Sequence, residues 1–180
     1  MKKVIAIVGP SGSGKTYLSK ILISLGIPKC VTATTRRPRE MDSEVHGEDY
    51  YFLTEDEFKS TDFVESTTYS SNSYGLPTEE VIEKLKESDT IHVVVDQKGA
   101  KSLQKRFPIE TKVIYLMVTE ETMRLRMAYR GDGNPEIEAR ISHAKENGEF
   151  NIPGVVDFVY DAIGGGDLEE LLAFIKRDHK

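Results

Sequence analysis

The 180-residue sequence contains a single cysteine, Cys30, and no tryptophan. A lone cysteine excludes an intramolecular disulfide framework and a cysteine-rich zinc site. No hydrophobic run approaches the roughly 20 residues that a membrane-spanning helix needs. The apolar start at residues 4–8 is shorter than the core of a signal peptide and leads into glycines and Lys15 rather than a cleavage site. We therefore expect a cytoplasmic protein with no membrane partner.

The sequence has fewer basic than acidic residues, with 24 Lys and Arg against 30 Asp and Glu, and its net charge is −6. Proteins that hold nucleic acid mainly by electrostatic attraction carry the opposite sign, so we expect no nucleic-acid partner. The hydrophobic fraction of 38% is sufficient for a core, and this length is typical of one domain. No repeat or linker divides the chain, and we predict a single domain over residues 1–180.

Short apolar runs alternate with helical patterns along most of the chain. Such runs are typical of strands buried on both faces of a parallel sheet, and their alternation with helices predicts βαβ units. Strands are expected at residues 4–8, 91–95, 113–118 and 158–160, with a weaker candidate at 30–33. Helices are expected at residues 15–25, 79–88, 99–106, 120–130, 137–149 and 168–176.

Two regions interrupt this alternation. Residues 36–75 contain alternating aromatic and polar residues and predict a small, partly β insertion. Within it, Thr54 followed by Glu57 forms a capping-box pattern, which predicts a short helix. Residues 127–135 predict a turn between two helices, and this turn is a candidate mobile lid.

The strongest motif lies directly after the first predicted strand. Gly9, Gly14, Lys15 and Thr16 fill every fixed position of the phosphate-binding pattern G-x-x-x-x-G-K-[ST]. The glycines let backbone N–H groups turn inward at the start of a helix, whose dipole favours an anion. Lys15 then reaches the β and γ phosphates of a nucleotide, and the Thr16 hydroxyl can bind Mg²⁺. The same stretch lacks the third glycine of a dinucleotide fingerprint and the closing glycine of a hydrolase nucleophile elbow.

Seven of the nine arginines fall into two groups. Arginine binds phosphate bidentately, so two groups besides the motif suggest two phosphorylated substrates. Converging cations could stabilise the transferring phosphoryl group, although an exposed helix face with ion pairs is the alternative, especially for Arg124. The first group is Arg36, Arg37 and Arg39, and the second is Arg124, Arg126, Arg130 and Arg140.

A phosphate acceptor would need no general base, because the second pKa of a phosphate monoester is about 6. The histidines are consistent with this, since their spacing is not that of metal ligands. We expect each to serve packing or to lie on the surface. They are His46, His92, His143 and His179.

Together these features resemble the guanylate kinase family, whose members transfer a phosphoryl group from ATP to GMP. The resemblance also includes Thr34-Thr35-Arg36-Arg37-Pro38-Arg39, Gly47-Glu-Asp-Tyr50-Tyr-Phe52, Phe63-Val-Glu65, Tyr74-Gly75 and Asp96-Gln-Lys-Gly99-Ala100. It implies an α/β P-loop NTPase fold, with a parallel sheet flanked by helices, a small, partly β insertion that binds the nucleoside monophosphate, and a helical lid. The implied core comprises about residues 1–33, 76–123 and 150–180, the insertion 34–75 and the lid 124–149.

The resemblance also implies roles for individual residues. The residues implied in catalysis are Lys15, Arg39, Arg130 and Arg140. Those implied in ATP binding are Ser11, Gly12, Ser13, Gly14, Lys15, Thr16, Arg126 and Arg130, with Thr16 on Mg²⁺. Those implied in binding GMP or dGMP are Thr32, Arg36, Arg39, Tyr50, Glu65, Tyr74, Gly75 and Asp96. A carboxylate such as Glu65 or Asp96 suits guanine, which offers N1–H and N2 amino donors, whereas adenine lacks the N1–H.

Three departures from the family pattern bear on base selectivity. Leu76 follows Tyr74-Gly75 where the family usually has Ser or Thr, which predicts one fewer hydrogen bond to the base. Val94 replaces the first acidic residue of the usual Asp-x-Asp, and the segment between Arg39 and Tyr50 is about two residues longer than usual. Two alternatives therefore stay open: a kinase of another phosphorylated small molecule, such as a ribose bisphosphate, and a catalytically inactive interaction module.

Overall fold

The computed structural model describes residues 1–38, 44–69, 71–164 and 166–177. A parallel sheet with the strand order β6-β1-β7-β8 forms its centre. These strands are β1 (Lys3–Val8), β6 (Thr90–Val94), β7 (Thr111–Met117) and β8 (Phe158–Asp161). The helices are α1 (Lys15–Ser24), α2 (Glu55–Ser60), α3 (Thr78–Glu87), α4 (Gln97–Arg106), α5 (Glu120–Tyr129), α6 (Asn134–Glu146) and α7 (Leu168–Lys176).

The central strand β1 is buried on both faces, as its unbroken apolar sequence predicts. Val4, Ala6 and Val8 pack in a cluster that also contains residues of α3 and α4. Ile5 and Ile7 pack in a second cluster with residues of α1 and α7. Because successive side chains of a strand point to opposite faces, β1 joins two helical layers into one core.

A smaller sheet has the strand order β3-β2-β5-β4. Its strands are β2 (Ala33–Thr34), β3 (Tyr51–Phe52), β4 (Phe63–Tyr69) and β5 (Asn72–Pro77). Helix α2 lies between β3 and β4, and Thr54 and Glu57 form the predicted capping box at its start. The division of the chain into core, insertion and lid remains a prediction.

The predicted α/β class with a parallel sheet flanked by helices is confirmed. The expected strand at residues 30–33 is wrong in position, because only Ala33–Thr34 forms a strand there and it belongs to the smaller sheet. The preceding chain reaches the parallel sheet through Lys29, which forms an isolated bridge with His92 of β6. The segment therefore passes from one sheet to the other, which a local apolar pattern cannot reveal.

Helix α6 begins three residues before the expected position, because Pro135 lies in its first turn, where a missing N–H costs nothing. Met123 and Met127 of α5 pack against Ile137 and Ile141 of α6 in a separate small cluster. Within the described ranges, no helix has the length and apolar character required to cross a membrane.

Candidate active site

The loop between β1 and α1 depends on glycine at defined positions. Gly9, Gly12 and Gly14 have φ values of 155°, 70° and 100°, in the region that side chains disfavour. A Cβ atom at Gly9 would also lie 2.8 Å from the Leu116 carbonyl oxygen. Gly14 is the N-cap of α1 and has no side chain to cap the first N–H groups of the helix, which leaves them available to a ligand at the loop. The loop thus has the form that its sequence motif predicts.

Lys15 folds back over this loop. Its Nζ donates hydrogen bonds to the carbonyl oxygens of Gly9 at 2.6 Å and Pro10 at 2.8 Å. Burial lowers the Lys15 pKa to about 8, while the negative charge of Glu149 raises it in part. An ammonium held this way, between loop carbonyls and a cavity, can move onto an incoming phosphate.

Two hydroxyl groups complete the loop. The Ser13 Oγ is buried and has no hydrogen-bond partner among the residues described. Thr16 is exposed in the first turn of α1. A hydroxyl beside inward-facing N–H groups and a lysine fits a triphosphate with a bound Mg²⁺ ion, for which oxygen is the preferred ligand.

A cavity of 420 Å³ opens beside the loop, where β1 and β6 end. The loop contributes Gly9, Ser11 and Lys15, the smaller sheet contributes Glu65, Thr67, Tyr74 and Gly75, and Tyr50 lies just before β3. Further lining residues are Thr32, Asp96, Gln97, Arg140, His143 and Glu149. The cavity therefore brings the phosphate-binding lysine together with most of the residues implied in binding the acceptor.

Glu65 and Asp96 are two of the acidic residues that line this cavity, together with Glu149. Asp96 also forms the N-cap of α4, since its Oδ1 accepts a hydrogen bond of 2.7 Å from the Gly99 N–H. Glu65 lies on β4 directly opposite Leu76 of β5. Burial, followed by the charge of Asp96, raises the Glu65 pKa to about 7. The pair can accept hydrogen bonds from a donor-rich ligand, which would also relieve their repulsion.

Arg36 lies in a different setting from the lining residues. Its guanidinium forms a bidentate pair with Glu44, through hydrogen bonds of 2.9 Å from Nη1 and 2.7 Å from Nη2. It also lies 5.5 Å from the Tyr50 ring centre and 5.8 Å from that of Phe52. The side chains of Arg36 and Glu44 are only 15% and 11% exposed, so the guanidinium is held beside Tyr50. Arg39 lies outside the described residues.

Arg126, Arg130 and Arg140 of the second arginine group have different partners in this structure. Arg140 lines the cavity and pairs with Glu136 at 2.7 Å. Arg126 instead contacts the phosphate-binding loop, donating to the carbonyl oxygens of Gly12 at 3.2 Å and Ser13 at 3.3 Å. Arg130 pairs with Asp132 in the turn itself. Arg130 and Arg140 nevertheless lie near each other, because the charge of Arg140 acts on Asp132 and that of Glu136 acts on Arg130, whereas Arg126 lies at the loop.

Arg124 pairs with Glu120 and Glu138. This agrees with the alternative of an exposed, ion-paired helix face for that residue.

A second cavity, of 370 Å³, lies on the other side of the loop. Its lining is mostly apolar and aromatic, with Arg126 at the loop itself. The lining includes Ser13, Gly14, Tyr17, Ile21, Arg126, Tyr160 and Leu168. Its shape and lining suit a flat, partly apolar group attached to a phosphate held in the loop.

Sequence reasoning missed several lining residues. Thr67 could have been found, because it lies two positions after Glu65 and so shares its face of β4. His143 lies on the surface, as expected, and also lines the cavity, with its Nε2 3.8 Å from Glu149. His92 meets the expectation of a packing role. It is fully buried and bonded to Ser19 at 2.8 Å, and burial lowers its pKa to about 4.

Comparisons with known proteins agree with this geometry. Residues 1–175 match the family model for guanylate kinase. The guanylate kinase of Trichodesmium erythraeum is 31% identical over 172 residues, covering 89% of this chain and 91% of the relative. The guanylate kinase of Synechocystis is 30% identical over 178 residues, covering 94% and 89%. The crystal structure of guanylate kinase from Anaplasma phagocytophilum superimposes with a TM-score of 0.60 at 23% identity, covering 97% of this chain and 82% of that one.

Proposed function

The chain belongs to the guanylate kinase family, and we propose that it transfers the γ-phosphoryl group of ATP to GMP, and also to dGMP, by in-line displacement. One observation carries this proposal. A single 420 Å³ cavity is lined both by Lys15 of the phosphate-binding loop and by Glu65 and Asp96. Donor phosphate and acceptor nucleotide would therefore meet in one space.

The acceptor base would lie between the smaller sheet and the start of α4. Ionised Glu65 and Asp96 would accept hydrogen bonds from the N1–H and N2 amino groups of guanine, as a carboxylate has acceptors only. Thr32 lines the same wall of the cavity. Adenine would leave these carboxylates without a matching N1–H donor, which disfavours AMP.

Thr67 would replace the hydroxyl that Leu76 does not supply. Leu76 is fully buried within the apolar core, whereas Thr67 is exposed on β4 and lines the cavity. It pairs in register with Tyr74 of β5, next to Gly75. We assign its hydroxyl to the O6 side of guanine.

The acceptor phosphate would bind beside Tyr50 and Tyr74, whose rings are 6.3 Å apart, together with Arg36 and Arg39. Arg36 would exchange at least part of its contact with Glu44 for the phosphate. A phosphate oxygen is a nucleophile without the help of a base near neutral pH.

The donor would bind through the loop. Backbone N–H groups of residues 11–16 and Lys15 would hold the ATP phosphates, and the adenine would occupy the second cavity beside Arg126. Thr16 would bind Mg²⁺, which neutralises phosphate charge when bound. Arg140, and Arg130 after a movement of the turn, would stabilise the charge on the transferring group.

The two alternatives are less consistent with these residues. An inactive interaction module has no use for an intact loop with Lys15 and Thr16 in place. The ribose bisphosphate substrate of the other alternative has no nucleobase to pair with Glu65 and Asp96.

The test is ADP release with GMP, dGMP, AMP, IMP and ribose 1,5-bisphosphate as acceptors. We expect GMP and dGMP to be used best, and Lys15→Ala to lower turnover more than a hundredfold, the equivalent of about 3 kcal/mol in the transition state. Preference for the bisphosphate would overturn the acceptor assignment. If none of these acceptors is phosphorylated, the result would favour the inactive interaction module.

A further inference from the structure

Glu80 is a largely buried acidic residue in the first turn of α3, outside the lining of the main cavity. Its side chain is 8% exposed. The Oε1 atom accepts a hydrogen bond of 2.9 Å from the Val31 N–H, and Oε2 accepts one of 2.7 Å from the Tyr51 hydroxyl. Lys84, one turn further along α3, lies 3.4 Å from Oε1. One carboxylate thus joins three separate parts of the chain.

Both hydrogen-bond donors are sequence neighbours of residues in the proposed GMP site. Val31 precedes Thr32, and Tyr51 follows Tyr50, and both of these neighbours line the cavity. The backbone reinforces the link, because the Tyr51 N–H donates to the Thr32 carbonyl oxygen at 2.9 Å. A shift of the Glu80 carboxylate would therefore move two walls of the GMP site together.

The helix that carries Glu80 is itself joined to this site. It begins at Thr78, directly after β5, which contains Tyr74 and Gly75. On the other side, Cys30 donates its N–H to the His92 carbonyl oxygen in the parallel sheet. Glu80 therefore bridges the segment that enters the smaller sheet and the helix that leaves it.

The chemistry of these contacts favours a fixed arrangement. Hydrogen bonds to an ionised carboxylate are roughly twice as strong as neutral ones. Burial, followed by the hydrogen bond to Glu80, raises the Tyr51 pKa to about 12, so Tyr51 remains a donor at every physiological pH. Burying a carboxylate rarely adds stability compared with an apolar side chain, which points to a requirement for geometry instead.

We propose that Glu80 is a positioning residue for the acceptor nucleotide, holding Thr32 and Tyr50 at the spacing that GMP requires without touching it. This inference rests on the proposed function. It assigns to Glu80 an effect on GMP binding and none on the ATP loop, because the described contacts of Glu80 are with Val31, Tyr51 and Lys84 and not with the loop.

The test is steady-state kinetics of Glu80→Gln, which keeps the shape of the side chain but presents an amide N–H₂ to one of its two donors. We expect KM for GMP to rise on the order of tenfold, with kcat and KM for ATP changed less than about twofold. Glu80→Asp should recover part of the loss if one of the two hydrogen bonds is retained. The matched control is Glu83→Gln on the same helix, where Glu83 pairs only with exposed Lys86 among the contacts described.

Tyr51→Phe provides a second variant that removes one hydrogen bond and little volume. Its effect on KM for GMP should be smaller than that of Glu80→Gln, and the two effects should be less than additive in the double variant, because Tyr51 contributes only through its contact with residue 80. Unchanged KM for GMP in Glu80→Gln, or equal losses toward GMP and ATP, would overturn the proposal. If the wild type prefers a different acceptor, the proposed function fails, and the same comparison made with that acceptor tests Glu80 separately.

Discussion

Glu65 reaches the cavity from β4 of the smaller sheet and Asp96 from the start of α4, and the charge of Asp96 adds to burial in raising the Glu65 pKa to about 7. Asp96 is fixed by its role as the N-cap of α4. Gly99 keeps the two close, because a Cβ there would lie 3.3 Å from the Glu65 side chain and 2.9 Å from Val95. Near neutral pH the free protein therefore holds Glu65 only partly ionised.

GMP binding should follow the ionisation of Glu65. Because the carboxylate must be charged to accept hydrogen bonds from guanine, kcat/KM for GMP should level off above about pH 7 and fall below it by up to tenfold per pH unit. GMP also loses phosphate charge near pH 6. Profiles at saturating ATP separate the two effects, since Glu65→Gln should keep only the lower transition. A wild-type profile without a transition near 7 would contradict this assignment.

The same residue should limit stability. A raised carboxyl pKa favours the protonated form in the folded state, so its contribution is fully present below about pH 4.5 and is lost as pH rises through about 7. A fully buried group with this shift would cost up to about 3 kcal/mol, and partial exposure reduces this to roughly 1–2 kcal/mol.

Glu65→Gln should therefore exceed the wild type in free energy of unfolding by a margin that grows between pH 5 and pH 8, while losing activity with GMP. Denaturant unfolding at both pH values measures this, with Glu83→Gln as the exposed control. A margin independent of pH would contradict the expectation.

Lys15 should limit ATP binding at high pH, whereas Glu65 limits GMP binding at low pH. Its pKa of about 8 means that the free protein loses this positive charge above pH 8. ATP affinity should decline there, by up to tenfold per pH unit until bound phosphate restores the proton. Calorimetric titration of ATP between pH 7 and pH 9.5 measures the effect, and Lys15→Met should bind weakly at every pH. Equal slopes in both proteins would place the transition on another group.

Thr67 should contribute selectivity through its hydroxyl. Thr67→Val keeps the shape and removes the donor, so kcat/KM for GMP should fall about two- to tenfold, the value of one neutral hydrogen bond. Thr67→Ser should retain most of the activity, and AMP should respond little to either change. Leu76→Ser is a poor substitute, because Leu76 is buried in the core, where burying a hydroxyl costs free energy unless it is hydrogen-bonded. Loss of GMP and AMP activity in equal measure would contradict the role.

Arg140 and Arg39 should differ in kinetics. Arg140→Met should lower kcat more than tenfold with a modest change in KM, because its contact with the transferring group strengthens in the transition state. Arg39→Met should mainly raise KM for GMP. Arg124→Met is the matched control, since Arg124 pairs with Glu120 and Glu138 and does not line the cavity. A reversed pattern would exchange the two assignments.

The phosphate-binding loop was predictable from the sequence because all its parts lie within residues 9–16. The parallel sheet was predictable for a similar reason, as strands such as β1 are continuous apolar segments. The passage of residues 29–34 from one sheet to the other was not predictable. It depends on the pairing of Lys29 with His92 and of Ala33 with Gly75, which are far apart in the sequence.

The site shows the same division. Glu65 and Asp96 were assigned through family resemblance. The raised pKa of Glu65 could not be predicted, because it results from burial beside Asp96 in the folded protein. The contacts of Glu80 with Val31 and Tyr51 span 49 and 29 positions and follow no local pattern. The role of Arg130 at the transferring group stays a prediction, and its present partner Asp132, two residues away, was not expected from the grouping of the arginines.

The reaction of the Cys30 thiol with a reagent can report the opening of the segment that contains it. The thiol is fully buried one residue before Val31, and burial raises its pKa to about 12. Modification by a thiol reagent at neutral pH thus requires that this segment open, which exposes the sulfur and restores its acidity. The same segment leads into Thr32, so the rate at which the thiol is labelled should report how often the proposed GMP site opens. A bound nucleotide that keeps this site closed should lower the labelling rate in proportion to its occupancy.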